Sequence, residues 1–123
     1  MTSVLVVDDN GSNRKLAVDI LTAAGFRTLG ATTAAQGIAL AREHVPDVVL
    51  MDLQLPDMNG VEATRNLAAH ERTADIPVVA MSATPLEGSD DWLQEAGFAG
   101  WLEKPIHAGR FPDQVRRYTQ RNP

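Results

Sequence analysis

Three carboxylates, a hydroxyl and an ammonium group fall at the carboxyl ends of apolar runs in this chain. Asp8 and Asp9 follow Val4 to Val7, Asp52 follows Val48 to Met51, Ser82 follows Pro77 to Met81, and Lys104 follows the weaker run Gly100 to Glu103. Clustered acids suit a hard divalent cation, and Mg²⁺ favours one or two carboxylates together with waters and phosphate oxygens. A lysine beside them adds positive charge where a transferred phosphoryl group accumulates negative charge. If these five ends share one edge of a sheet, the set is a device for phosphoryl transfer.

The elements that must position them can be read from apolar spacing. Val4 to Val7, Val48 to Met51 and Pro77 to Met81 are rich in β-branched residues and do not alternate polar with apolar. Strands buried on both faces look like this, and they belong to parallel sheets covered by helices. Arg27 to Ala31 and Gly100 to Glu103 are weaker strand candidates. Between them lie helical spacings. Leu16, Ile20, Leu21 and Ala24 follow the capping oxygens of Asp8, Asp9, Asn10 and Ser12 and stop at Gly25. Thr33 caps a second helix with Ala35, Ile38, Ala39 and Arg42, ending near Pro46. A third starts around Asn59 and uses Val61, Thr64, Leu67 and Ala68. A fourth follows Thr84 with Leu86, Trp92, Leu93 and Ala96 and stops at Gly97. A fifth carries Phe111, Val115 and Tyr118, with Gly109 and Pro112 placed against its first turn. Strand followed by helix, five times over, predicts an α/β doubly wound parallel sheet, whose ligands bind outside the carboxyl ends of its strands.

Composition narrows the function. With 123 residues and 44% hydrophobic content there is enough for one core and too little for two ordinary domains, so residues 1–123 are expected to form one domain. A net charge of −5 works against unspecific attraction to nucleic acid or anionic lipid. The absence of cysteine excludes disulfides, a thiolate nucleophile and a Cys-ligated zinc site. The start of the chain has neither the basic flank nor the apolar core of a signal peptide, and no apolar run reaches the roughly 20 residues of a membrane helix. A cytoplasmic protein is expected.

Asp8 and Asp9 after Val4 to Val7, the stretch MDLQLPDMNG at 51–60, Ser82 with Ala83, and Lys104 with Pro105 resemble the receiver domains of two-component response regulators along the whole chain, and particularly their stand-alone members. The resemblance implies a flavodoxin-like, five-stranded parallel sheet of order 2-1-3-4-5 with five helices. It implies that Asp52 accepts a phosphoryl group from a histidine kinase or histidine phosphotransferase. Asp9 would bind Mg²⁺ directly, Asp8 mostly through water, and Asp52 and the backbone carbonyl of Gln54 would complete the protein ligands. Ser82 and Lys104 would each hydrogen-bond a phosphoryl oxygen, and the Lys104–Pro105 bond would be a cis peptide. Ser82 would pair with Trp101, three residues before the lysine, as a switch that reshapes the face of the fourth helix, fifth strand and fifth helix for a downstream protein partner. Tyrosine or phenylalanine is usual at that place, and tryptophan is larger.

Plainer readings stand beside these. Asp8 and Asp9 would also cap the first helix, Ser82 would serve as a turn hydroxyl, Lys104 would solvate its loop, and Trp101 would fill core. Trp92 reads as a half-buried helix residue, His44, His70 and His107 as surface residues, and the Arg110, Arg116, Arg117 and Arg121 cluster as a solvated helix face. A haloacid-dehalogenase-type phosphatase would want a second aspartate two residues after Asp52, where Gln54 stands. A pseudo-receiver that binds without phosphorylation would be favoured by a missing acid or lysine, and none is missing. The end of the chain at Pro123 leaves two expectations open, a stand-alone regulator or one domain cut from a longer chain.

Overall fold

In the computed structural model, which describes residues 2–82, 94–104 and 108–119, the apolar runs become the centre of a parallel sheet. β1 (Ser3–Val7), β2 (Arg27–Ala31), β3 (Val48–Asp52), β4 (Val78–Ser82) and β5 (Gly100–Glu103) pair in the expected order β2-β1-β3-β4-β5. All of β3 and all but the first residue of β1 are buried, which is why those segments show no polar alternation. Side chains alternate between the two faces of the sheet. Val4, Val6, Leu50 and Met81 pack with Ala17, Leu21, Phe111 and Val115 on one face. Leu5, Val7, Met51 and Ala80 pack with Ala34, Ile38, Ala63 and Leu67 on the other.

The helices start where short polar side chains can cap them. Asn10 caps α1 (Gly11–Ala23), Thr33 caps α2 (Ala34–His44) and Asn59 caps α3 (Gly60–Ala69), each side chain accepting a bond from the backbone three residues on. Of the oxygens offered around the start of α1, it is that of Asn10 that caps, which leaves Asp8 and Asp9 for other work. Gly25, at φ 97°, turns the chain out of α1 as a following glycine does. The C-terminal helix runs Phe111–Thr119, and Pro112 sits in its first turn, where a missing N–H removes no intrahelical bond. Leu86, Trp92 and Leu93, expected in a helix after Thr84, lie outside the described residues, as do His107, Arg121 and the Lys104–Pro105 peptide; residues 94–96 are helical and Gly97 follows at φ 96°.

Apolar spacing misplaced some buried faces. Leu16 is 46% exposed and Ala17 is buried in its stead, whereas Leu21 is buried and Ile20 and Ala24 pack against the core as expected. In α2, Ala35 and Ala39 face solvent while Ala34, Gly37, Ile38 and Ala41 are buried, and in α3 Ala68 is exposed while Ala63 and Thr64 are buried. The reason is close approach: a methyl group at Gly37 would stand 2.7 Å from Val7 Cγ2, so α2 presents its smallest residues to the sheet. Hydropathy ranks such residues low and hides the face. One surface assignment changes and another gains contacts while staying exposed. His70 is half-buried and its Nδ1 accepts from the Arg72 amide. Arg116 bonds Asp113 and the Ala24 carbonyl and lies 5.2 Å from the Phe26 ring, tying the C-terminal helix to the end of α1. No helix among the described residues is long and apolar enough to cross a membrane.

Candidate functional site

At the carboxyl end of the sheet a cleft of about 660 Å³ opens, lined among others by Asp8, Asp9, Asp52, Gln54, Ser82 and Lys104. It lies where the strand order places β1 beside β3 and sends their connections to opposite sides. Asp52 and Ser82 are the last residues of β3 and β4, Asp8 and Asp9 come directly after β1, and Lys104 comes directly after β5. Each is therefore held by a strand end rather than by a long loop.

Strand register sorts them by side. Asp52 pairs with Met81, and Met81 with Leu102, so Asp52 lies on the face covered by α1 and the C-terminal helix. Alternation from Val6 and from Leu102 brings Asp8 and Lys104 to the same side. Lys104 Nζ donates to Asp8 Oδ2 at 3.0 Å and to Asp52 Oδ2 at 3.1 Å. The remaining oxygens are bonded locally, Asp8 Oδ1 by the Asn10 amide at 2.9 Å and Asp52 Oδ1 by the Gln54 amide at 3.1 Å. Ser82 follows Met81 and has the opposite alternation, yet it lines the same cleft, and its carbonyl accepts the Lys104 amide at 2.9 Å.

The electrostatics are those of crowded, sheltered acids. Asp8 is 1% exposed and Asp52 7%, whereas Asp9 is exposed. Burial pushes the Asp52 carboxyl above its ordinary value; the Gln54 amide and Lys104 pull it back, and the Asp8 charge adds to the rise. Burial alone would lower Lys104, but its hydrogen bonds and charge contacts with Asp8 and Asp52 outweigh this and raise it. Carboxylate oxygens of Asp8, Asp9 and Asp52 lie within 4.8 Å of one another. Three carboxylates against one ammonium leave an excess of two negative charges among hard oxygen donors, a donor set that fits a divalent cation such as Mg²⁺.

Neighbouring contacts fix these groups. The Asp8 amide bonds the Ala31 carbonyl at 3.0 Å, and Arg14 Nη1 bonds the Asp8 carbonyl at 2.8 Å. After Asp52 the chain forms a closed loop in which Gln54 pairs with Asn59 and the Gly60 amide bonds the Leu53 carbonyl. Asn10, Asn13, Leu55 and Pro56 complete the cleft walls. Sequence reasoning passed over Arg14, Asn13 and Asp57; the Asn10 and Asn13 spacing of a capped first turn was the only available signal for Asn13. Trp101 stands apart from the cleft. It pairs with Ala80 on the face covered by α2 and α3, half-buried, and its indole N–H is buried with no hydrogen-bond partner among the described residues.

Known proteins resemble this chain in sequence and in fold. The family model of the response regulator receiver domain matches residues 4–116. The polar-differentiation response regulator DivK of Brucella ovis is 37% identical over 116 residues, covering 94% of each chain. The receiver domain of the sensor histidine kinase PA1611 from Pseudomonas aeruginosa PAO1, whose structure has a magnesium ion coordinated in its active site cleft, superimposes with a TM-score of 0.86 at 28% identity, covering 96% of this chain and 97% of that one. The chemotaxis protein CheY4 of Vibrio cholerae has the same fold, with a TM-score of 0.90 at 24% identity over 96% of this chain and 98% of that one.

Proposed function

Since the chain belongs to the response regulator receiver domain family, a family of signalling proteins, we propose that residues 1–123 form one receiver domain that takes a phosphoryl group onto Asp52 from a histidine kinase or histidine phosphotransferase. The observation that carries the reading is the Lys104 bridge between Asp8 and Asp52, beside a third carboxylate within 4.8 Å. Asp8, Asp9, Asp52 and the Gln54 carbonyl would hold Mg²⁺, which when bound neutralises charge on the phosphoryl oxygens.

The chain's own groups do the rest. An Asp52 carboxylate oxygen attacks the phosphorus, and the bond from phosphorus to the donor imidazole nitrogen breaks, leaving its electron pair on the nitrogen. Lys104 and Ser82 bond the transferred phosphoryl oxygens. The cleft shelters the reacting carboxylate from bulk water, which strengthens each of these contacts. Occupied Asp52 draws Ser82 inward, Trp101 repacks, and the face around β5 and the C-terminal helix changes for a downstream protein partner. Nucleic acid is not the expected partner, given the charge of −5.

Intact mass after incubation with Mg²⁺ and acetyl phosphate tests the reading. A phosphoryl adduct is expected with Mg²⁺, lost with EDTA and absent in Asp52→Asn. An unmodified native chain would favour a pseudo-receiver, and an adduct retained in Asp52→Asn would mean another nucleophile.

A further inference from the structure

Asp57 uses both carboxylate oxygens on a helix to which it does not belong. Oδ1 accepts the Ala34 amide at 2.9 Å and Oδ2 the Ala35 amide at 2.9 Å, at the start of α2 and 23 and 22 residues away in sequence. Thr33 Oγ1 takes the next amide, Gln36. α2 has no acidic residue in its own first turn, so Asp57 supplies the negative charge that a helix N-terminus favours.

The loop that Asp57 belongs to carries Gln54, Leu55 and Pro56, which form one wall of the cleft. Its other backbone ties close it upon itself or on the adjoining strand: Gln54 with Asn59, Gly60 with Leu53, and Leu53 with Met81. The bonds of Asp57 reach out of the loop to α2. α2 is seated in turn by Gly37 against Val7, the residue before Asp8. A single helix therefore joins the loop after β3 to the end of β1, the two places that bear the acids.

We propose that Asp57 is a positioning residue: by clamping the loop that carries Gln54 to the first turn of α2, it sets the wall of the cation site opposite Asp8. The inference rests on the Mg²⁺ reading above. Its test compares Mg²⁺ dissociation constants, measured calorimetrically well below the melting temperature, in the native chain, Asp57→Ala, Asp57→Asn and Thr33→Ala. Thr33→Ala removes a cap from the same helix without touching the loop and controls for a general loosening of α2.

Asp57→Ala is expected to weaken Mg²⁺ about tenfold, Asp57→Asn less because one acceptor oxygen remains, and Thr33→Ala by no more than about twofold even where both alanine variants melt earlier. Unchanged affinity in Asp57→Ala, or an equal loss in Thr33→Ala, would overturn the proposal. A native chain that binds no Mg²⁺ would overturn it together with the metal reading, whereas native binding undisturbed in Asp57→Ala would remove this inference alone.

Discussion

Lys104 Nζ stands 3.1 Å from Asp52 Oδ2 across 52 residues of chain, so the proposed phosphoacceptor is paired with a cation in the fold itself. Burial nevertheless outweighs the pairing and holds the Asp52 carboxyl above its ordinary 3.8. The folded chain therefore binds this proton more tightly than the unfolded chain does, and ionising Asp52 reduces stability. The reduction is absent below 3.8, grows as pH rises toward the raised folded value and is constant above it. Lys104, raised above 10.5, keeps its contribution throughout that window and loses it only in strong alkali. Metal-free Asp52→Asn is thus expected to be more stable than the native chain at pH 7, with the difference vanishing in acid. Urea unfolding across this range decides it, and a native chain at least as stable as the variant at pH 7 counts against the account.

Mg²⁺ should reverse that balance. Two like charges about 4 Å apart repel by roughly 4 kcal/mol at an effective dielectric of 20, before relaxation and screening. Mg²⁺ is expected to raise the melting temperature. Asp9→Asn should raise the metal-free value by a few degrees, because Asp9 is exposed and its repulsion is well screened, and should blunt the metal response. Melting of the native chain that ignores millimolar Mg²⁺ would place the metal site in serious doubt.

Gly60 tests the base of the loop after Asp52. A methyl group there would meet the Asp52 carbonyl oxygen at 2.7 Å and Leu53 Cα at 3.0 Å, and neither is a side chain that can rotate away. Gly60→Ala is expected to cost about 1–3 kcal/mol and to weaken Mg²⁺ binding as α3 moves off β3. Gly109→Ala, with no described atom within 4 Å of the added methyl, should stay within about 0.5 kcal/mol of native. Equal stability of the two variants would show that α3 has room the contacts deny.

Trp101 supplies its own reporter. Its indole N–H is buried with no hydrogen-bond partner among the described residues, and a donor left that way costs about 1–3 kcal/mol, which a rearranged packing can recover. Emission is expected to shift when phosphorylation, or a beryllofluoride mimic with Mg²⁺, draws Ser82 inward. Most of the shift should vanish in Trp101→Phe and survive in Trp92→Phe, and Ser82→Ala should leave Asp52 phosphorylatable with a reduced response. An unchanged spectrum at full phosphorylation would retire the Trp101 switch and leave the phosphoacceptor reading in place.

The strands and the cleft residues were legible in the sequence because burial on both faces forbids polar residues until a strand ends. Asp8, Asp52 and Ser82 therefore mark their strand ends by their polarity alone, whereas Lys104 follows the exposed Glu103 of the less buried β5 and does not. Caps were legible for the same local reason, as Asn59 and Thr33 bond amides three residues away. Helix faces were less so: Gly37 is buried because its backbone must approach Val7, and such closeness has no hydropathic signature. Pairings across the chain were beyond local reading altogether. That Lys104 bridges Asp8 and Asp52, that Asp57 caps α2, and that the Trp101 N–H finds no partner among the described residues all depend on which strands lie side by side and in what register. Register is set by the summed packing of both faces of the sheet, a property of the assembled chain that no stretch of it carries alone.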